Sequence, residues 1–127
     1  CARSKVLYGL YKTYEYIKEK GIVYVVESEK GVMQLWTMGI YNCVATGGKK
    51  VSSQQIEKLT RLCVQVVFLF DKDVTQDEIN ELADRFISSV EIYTVIDDKE
   101  ILNEKESPTD NPEKLMRLLS ECYKKIR

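Results

Sequence analysis

With 127 residues, 44% of them hydrophobic and 31% charged, the chain is sized for one packed domain and too apolar to be disordered. Its 19 Lys and Arg residues against 20 Asp and Glu give a net charge of −1, so no global field draws it onto nucleic acid and any such contact must be local. There is no histidine, which removes Ser–His and Cys–His nucleophile pairs and leaves carboxylate oxygens to bind any metal, a donor set suited to magnesium, manganese or calcium.

In chain order, Leu7, Leu10, Tyr11, Tyr14 and Ile17 follow one helical face over residues 4–19, and Gly21 ends it. Ile22 to Val26 is a β-branched and aromatic run, short enough for a strand buried on both faces. Val32, Leu35 and Trp36 restart a helical pattern that stops at Gly39, and Tyr41 to Ala45 reads as a second strand closed by Thr46-Gly47-Gly48. Ser52 and Gln55 resemble a capping box ahead of Ile56, Leu59 and Cys63. Val64 to Phe70 is a third strand. Thr75 and Glu78 form another capping box before the stripe Ile79, Leu82, Ala83, Phe86 and Ile87. Ile92 to Ile96 is a fourth strand, 97–111 a polar loop, and Pro112 opens a last helix lined by Leu115, Leu118, Leu119, Cys122 and Ile126.

Strands separated by helices require crossovers, so the fold class is α/β: a four-stranded, mainly parallel sheet with helices on both faces. One domain over 1–127 is expected, with a leading helix in 1–20, a core over 21–111 and a closing helix over 112–127. The chain begins at Cys1 rather than Met, as an excised piece of a larger protein would. Cys1, Cys43, Cys63 and Cys122 are too scattered for a zinc knuckle or a disulfide framework. No apolar run approaches the roughly 18 residues of a membrane span, and no secretory signal is visible, so a cytoplasmic location is expected.

In a parallel sheet, ligands gather beyond the carboxyl ends of the strands. Glu27 follows the first strand, Thr46-Gly47-Gly48-Lys49-Lys50 the second, Asp71-Lys72-Asp73 the third, and Asp97 and Asp98 the fourth. If Asp71 and Asp73 are extended they project to the same side, about 7 Å apart, where they could share a hydrated cation. A bare DxD is as often a turn and a helix cap, and Glu27 by itself reads more simply as a helix-start acid. The lysines after the double glycine could meet phosphate, although the full P-loop spacing is missing.

Taken together and in order, these segments resemble the TOPRIM domain of bacterial-type DNA primases, in a phage-like branch. Ser4-Lys5-Val6-Leu7-Tyr8-Gly9-Leu10-Tyr11 is similar to the LYGLY segment ahead of that core. Val25-Val26-Glu27 resembles the family's glutamate motif, Gly39 to Gly48 its second strand and turn, and Asp71-Lys72-Asp73 its DxD. Lys105 to Pro112 is similar to an acidic loop of the phage-like branch. The resemblance implies a Rossmann-like TOPRIM fold and magnesium-dependent nucleotidyl transfer that makes RNA primers, manganese being able to substitute. It implies Glu27 as general base or acid, and Asp71 and Asp73 as metal ligands with Glu27. Glu106 or Asp110 would supply a further ligand, and Lys5, Lys49 and Lys50 would contact nucleotide or nucleic-acid phosphates. The implied partners are a single-stranded DNA template, nucleoside triphosphates and, through regions outside this sequence, a replicative helicase; no membrane is implied. Ser28, Gly31, Val74 and Asn111 depart from the family pattern. Other readings are a different TOPRIM phosphodiester enzyme such as a small nuclease, a receiver-like domain with Asp71 as phosphoacceptor, or a binding module without catalysis.

Overall fold

The computed structural model describes residues 7–48 and 50–127. Near its start, Tyr8 forms an antiparallel bridge with Ala45, each amide donating to the other's carbonyl at 2.8 and 3.0 Å. Gly9 takes φ 87°, and helix α1 (Leu10–Lys20) begins only after it. The helix therefore starts later than the apolar spacing suggests, because a left-handed residue cannot continue a right-handed helix. The rest of the chain alternates β1 (Ile22–Val26), α2 (Glu29–Thr37), β2 (Cys43–Ala45), α3 (Ser53–Arg61), β3 (Gln65–Phe68), α4 (Gln76–Asp84), β4 (Ile92–Val95) and α5 (Pro112–Glu121). Both expected capping boxes form, Ser52 with Gln55 and Thr75 with Glu78, and Asn111 caps the helix that Pro112 opens.

The closing segment departs from the expected helix. Cys122 leaves helical geometry, and Tyr123–Lys125 make β5, antiparallel to β4. The sheet thus has five strands rather than four, in the order β2-β1-β3-β4-β5, the first four parallel. Ile126, on the helical stripe by spacing, instead donates its amide to the Ile92 carbonyl at 2.8 Å. The physical reason is the edge of β4: its backbone groups need partners, and the end of the chain supplies them.

Strand alternation divides the core into two layers. Val23, Val25, Val66, Phe68 and Ile92 meet Ile17, Leu59 and Ile79, so α1, α3 and α4 cover one face. Val26, Ala45, Val67 and Val95 meet Val32, Leu35, Leu115 and Leu118, so α2 and α5 cover the other. Cutting back a fully buried leucine such as Leu35 or Leu115 to alanine would cost about 2–5 kcal/mol. No described helix is long and apolar enough to cross a membrane.

This layering locates the site. β1 and β3 are neighbours, with Val25 opposite Phe68. Yet α2, which follows β1, and α4, which follows β3, lie on opposite faces. The winding direction reverses between these two strands, and the reversal opens a crevice beyond their carboxyl ends.

Candidate metal centre

Glu27 and Asp71 enter that crevice from its two sides. β1 carries the chain to Val26, Glu27 is next, and Ser28 caps α2 by accepting from the Gly31 amide at 3.3 Å. On the other side the ladder continues past β3, the Leu69 amide donating to the Val25 carbonyl at 2.8 Å, while Leu69 and Phe70 stay buried. The chain then turns rather than running on extended: the Val74 amide donates to the Asp71 carbonyl at 3.0 Å. Asp71 and Asp73 are therefore not the extended pair expected from strand alternation: the turn, not a strand, brings their carboxyl groups to one side.

The outcome is a tight acidic trio. One carboxylate oxygen from each of Glu27, Asp71 and Asp73 lies within 4.8 Å of the others, with Glu27 and Asp71 half-buried and Asp73 exposed. Glu27 is oriented by the backbone of its neighbour, since the Asp71 amide donates to Glu27 Oε1 at 2.8 Å. Three carboxylates at this spacing repel one another, and a hard cation relieves the repulsion. The donor set fits such an ion. Magnesium–oxygen bonds of about 2.1 Å put opposite ligands about 4.2 Å apart, so small side-chain movements would bring all three oxygens onto one ion.

Beside the trio is a cavity of about 240 Å³ lined in part by Glu27, Lys30, Gln34, Gly47, Asp71 and Thr109. Its glycine wall is tied to β1, the Gly47 amide donating to the Glu27 carbonyl at 2.8 Å. Its opposite wall is the acidic loop, held by Gln34: Gln34 Nε2 donates to Asp110 Oδ1 at 2.9 Å, and Thr109 Oγ1 donates to Gln34 Oε1 at 2.6 Å.

The remaining predicted site residues are placed differently. Glu106 accepts from the Asn103 amide at 2.7 Å and from Lys114 Nζ at 2.5 Å, and the lysine and then the amide hold its carboxyl below the usual range. Asp110 accepts from the Ser107 amide at 2.9 Å and from Gln34, which lower its pKa in that order. Neither joins the trio. Lys50 is exposed between β2 and α3, while Lys5 and Lys49 lie outside the described residues. Sequence reasoning missed Lys30 and Gln34 as cavity residues; their spacing of four on α2 puts them on one helix face, which was the available signal.

A doubly wound α/β domain with three carboxylates converging at its switch point belongs to the class of acid-cluster domains able to hold a divalent cation. Residues 24–103 match the family model described as Toprim-like, and the chain belongs to that family. Among curated proteins it is 35% identical over 71 residues to the DNA primase of Aquifex aeolicus (strain VF5), covering 56% of this chain and 14% of that protein. It is 37% identical over 71 residues to the DNA primase of Pseudomonas aeruginosa, covering 56% and 11%. Among solved structures, the Aquifex aeolicus primase zinc-binding and RNA polymerase domains align with TM-score 0.75 and 29% identity over 94% of this chain and 30% of that one. A DNA primase domain from Pseudomonas aeruginosa aligns with TM-score 0.73 and 24% identity over 99% of this chain and 41% of that one, a likeness of fold. The matched segment is thus a small part of each curated relative.

Proposed function

We propose that this chain is the catalytic TOPRIM core of a DNA primase: a single domain, part of a longer protein, that joins ribonucleotides on a single-stranded DNA template using magnesium. The observation carrying this reading is the convergence of Glu27, Asp71 and Asp73 at the switch-point crevice of a Toprim-like chain whose curated relatives are DNA primases. One solved primase of the same fold is described as bound to single-stranded DNA. Asp71 and Asp73, with Glu27, would hold the ion, which when bound supplies positive charge to a polyphosphate and to the attacking hydroxyl. Glu27, which accepts from the Asp71 amide, would act as base or acid on a hydroxyl brought into the crevice. Lys50, with Lys5 and Lys49, would meet phosphates as point charges. Glu106 and Asp110 would act on the far wall of the cavity, as a further ligand only if the loop closes toward the trio. The replicative helicase would be reached through other parts of the protein, in the cytoplasm.

Manganese soaked into crystals of the chain should give an anomalous peak bounded by Glu27, Asp71 and Asp73. A peak elsewhere, with none at the trio, would remove the basis of the assignment. With labelled nucleoside triphosphates and single-stranded DNA, the chain should show weak, manganese-dependent nucleotide joining that Asp71→Asn abolishes. Cleavage of labelled RNA or DNA without any joining would move the assignment to a TOPRIM nuclease.

A further inference from the structure

We propose that Asp97 and Lys72 form a brace that fixes the turn bearing Asp71 and Asp73, with Asp97 acting through Lys72 as a positioning residue. The inference rests on the trio being the cation site and adds to it two side chains that touch no substrate.

Asp97 lies just past β4, and its side chain is only 4% exposed. A carboxylate that deep must be compensated, and the backbone provides for it: Oδ1 accepts from the Ile101 amide at 2.7 Å and Oδ2 from the Leu102 amide at 2.9 Å. These two bonds fold residues 97–102 back over the end of β4, with Glu100 in the left-handed region at φ 52°. The fold-back aims the Leu102 carbonyl at Lys72, whose Nζ donates to it at 3.3 Å and stands 3.9 Å from Asp97 Oδ2. A carbonyl and a buried carboxylate thus make a socket for one ammonium. That ammonium belongs to the residue between Asp71 and Asp73.

Held at its tip, Lys72 restrains the turn from rotating and keeps the two aspartates facing Glu27. The arrangement has a distinctive signature, because charge and position pull in opposite directions. As a charge alone, an ammonium beside a cation site repels the cation, so removing it would tighten binding. As a brace, removing it would let the aspartates wander and would weaken binding.

The test is manganese affinity, read from free Mn2+ by electron paramagnetic resonance, in the unsubstituted chain and in Lys72→Met, Lys72→Arg and Asp97→Asn. Lys72→Met should bind Mn2+ about tenfold more weakly, in the range seen when supporting residues around a metal site are removed. Lys72→Arg should recover most of the affinity, since a guanidinium can reach the same carbonyl and carboxylate. Asp97→Asn should weaken binding similarly at temperatures where circular dichroism shows it folded. If it fails to fold, Lys72→Met, with a one-third exposed side chain, makes the same comparison. Binding in Lys72→Met equal to or tighter than in the unsubstituted chain overturns the brace and leaves the trio standing. No Mn2+ binding in the unsubstituted chain overturns the trio and the brace together.

Discussion

The backbone amide of Asp71 donates a 2.8 Å hydrogen bond to Oε1 of Glu27, joining residues 44 positions apart across the crevice between β1 and β3. Substitutions at Glu27 should therefore separate charge from geometry. Glu27→Gln keeps an oxygen that can accept from the Asp71 amide but removes the negative charge. It keeps the acceptor for the Asp71 amide that Glu27→Ala loses, so it should be the less destabilised of the two, while losing most Mn2+ affinity. Glu27→Ala also leaves a half-buried amide without that acceptor and should cost about 1–2 kcal/mol. Urea unfolding and Mn2+ titration on the same samples check both expectations. Equal Mn2+ affinity in Glu27→Gln would show that its charge does not contribute to the site.

The acidic trio should make stability depend on divalent cation. An ion that binds only the folded state adds about 2.7 kcal/mol at 100 times its dissociation constant. For a domain of this size that is a melting-temperature rise of about 10 °C. Differential scanning fluorimetry with Mg2+ or Mn2+ against EDTA should show the rise, and Asp71→Asn should abolish it. In EDTA, Asp73→Asn should melt at or slightly above the unsubstituted chain, because it removes one of three mutually repelling charges.

Most of this site was legible in the sequence, for a reason visible in β1 and β3. Both strands are short, largely apolar and mostly buried; Glu27 directly follows β1 and Asp71 follows the buried Leu69 and Phe70 after β3, so the parallel-sheet rule alone brings Glu27 and Asp71 to one rim. The turn at Asp71–Val74 was not legible, since alternation along a strand cannot report where the strand stops. Nor was β5: Leu115, Leu118, Cys122 and Ile126 keep helical spacing to the end, but the demand of the β4 edge for partners overrides that local pattern. The Gln34 contacts to Thr109 and Asp110 join positions more than 70 apart, which no local spacing announces.

Gln55 couples a helix cap to the glycine turn beside the trio. It is 1% exposed; its Oε1 accepts from the Ser52 amide at 3.0 Å, and its Nε2 donates to the Thr46 carbonyl at 2.7 Å. Gln55→Met fills similar volume but breaks both of these buried bonds, so it should cost about 2–4 kcal/mol. Gln55→Glu should be at least as damaging, because it turns a carboxylate oxygen toward the Thr46 carbonyl in a buried place. Chemical denaturation gives the numbers directly. A Gln55→Glu chain as stable as the original would mean that the amide donor is not needed.

The acidic loop should set the low-pH limit of stability. Lys114 and the Asn103 amide lower the pKa of Glu106 from its ordinary 4.5, and the Ser107 amide and Gln34 lower that of Asp110 from its ordinary 3.8. A folded-state pKa below the unfolded value gives stability that is complete above the unfolded value and lost as pH falls through the folded one. The contribution should therefore be constant from neutral pH down to about 5 and fade below about 4. Urea midpoints measured across that window should fall less steeply in Glu106→Gln with Asp110→Asn than in the unsubstituted chain. Parallel acid limbs would place the low-pH loss in other carboxylates.

Gly31 departs from the pattern that the sequence otherwise resembles, and the packing of α2 leaves a side chain there little room. A Cβ at residue 31 would lie 3.0 Å from Val26 Cγ2 and 3.2 Å from Val26 Cβ. Rotating Val26 could relieve the first contact, but the second moves only with the backbone of β1, the strand that presents Glu27. Replacing a helical glycine by alanine is ordinarily worth about 1 kcal/mol in propensity, whereas overpacking a core costs about 1–3 kcal/mol. The balance should make Gly31→Ala destabilising by about 1 kcal/mol and Gly31→Asp more so, with weaker Mn2+ binding in both because β1 shifts at its carboxyl end. Adding Val26→Ala removes the Cγ2 contact but keeps the Cβ one, so in that background Gly31→Ala should be less destabilising than in the original chain without becoming stabilising in thermal melts. If Gly31→Asp in the original background instead tightened Mn2+ binding, α2 would have room for a fourth ligand and the crowding at Val26 would not be what excludes it.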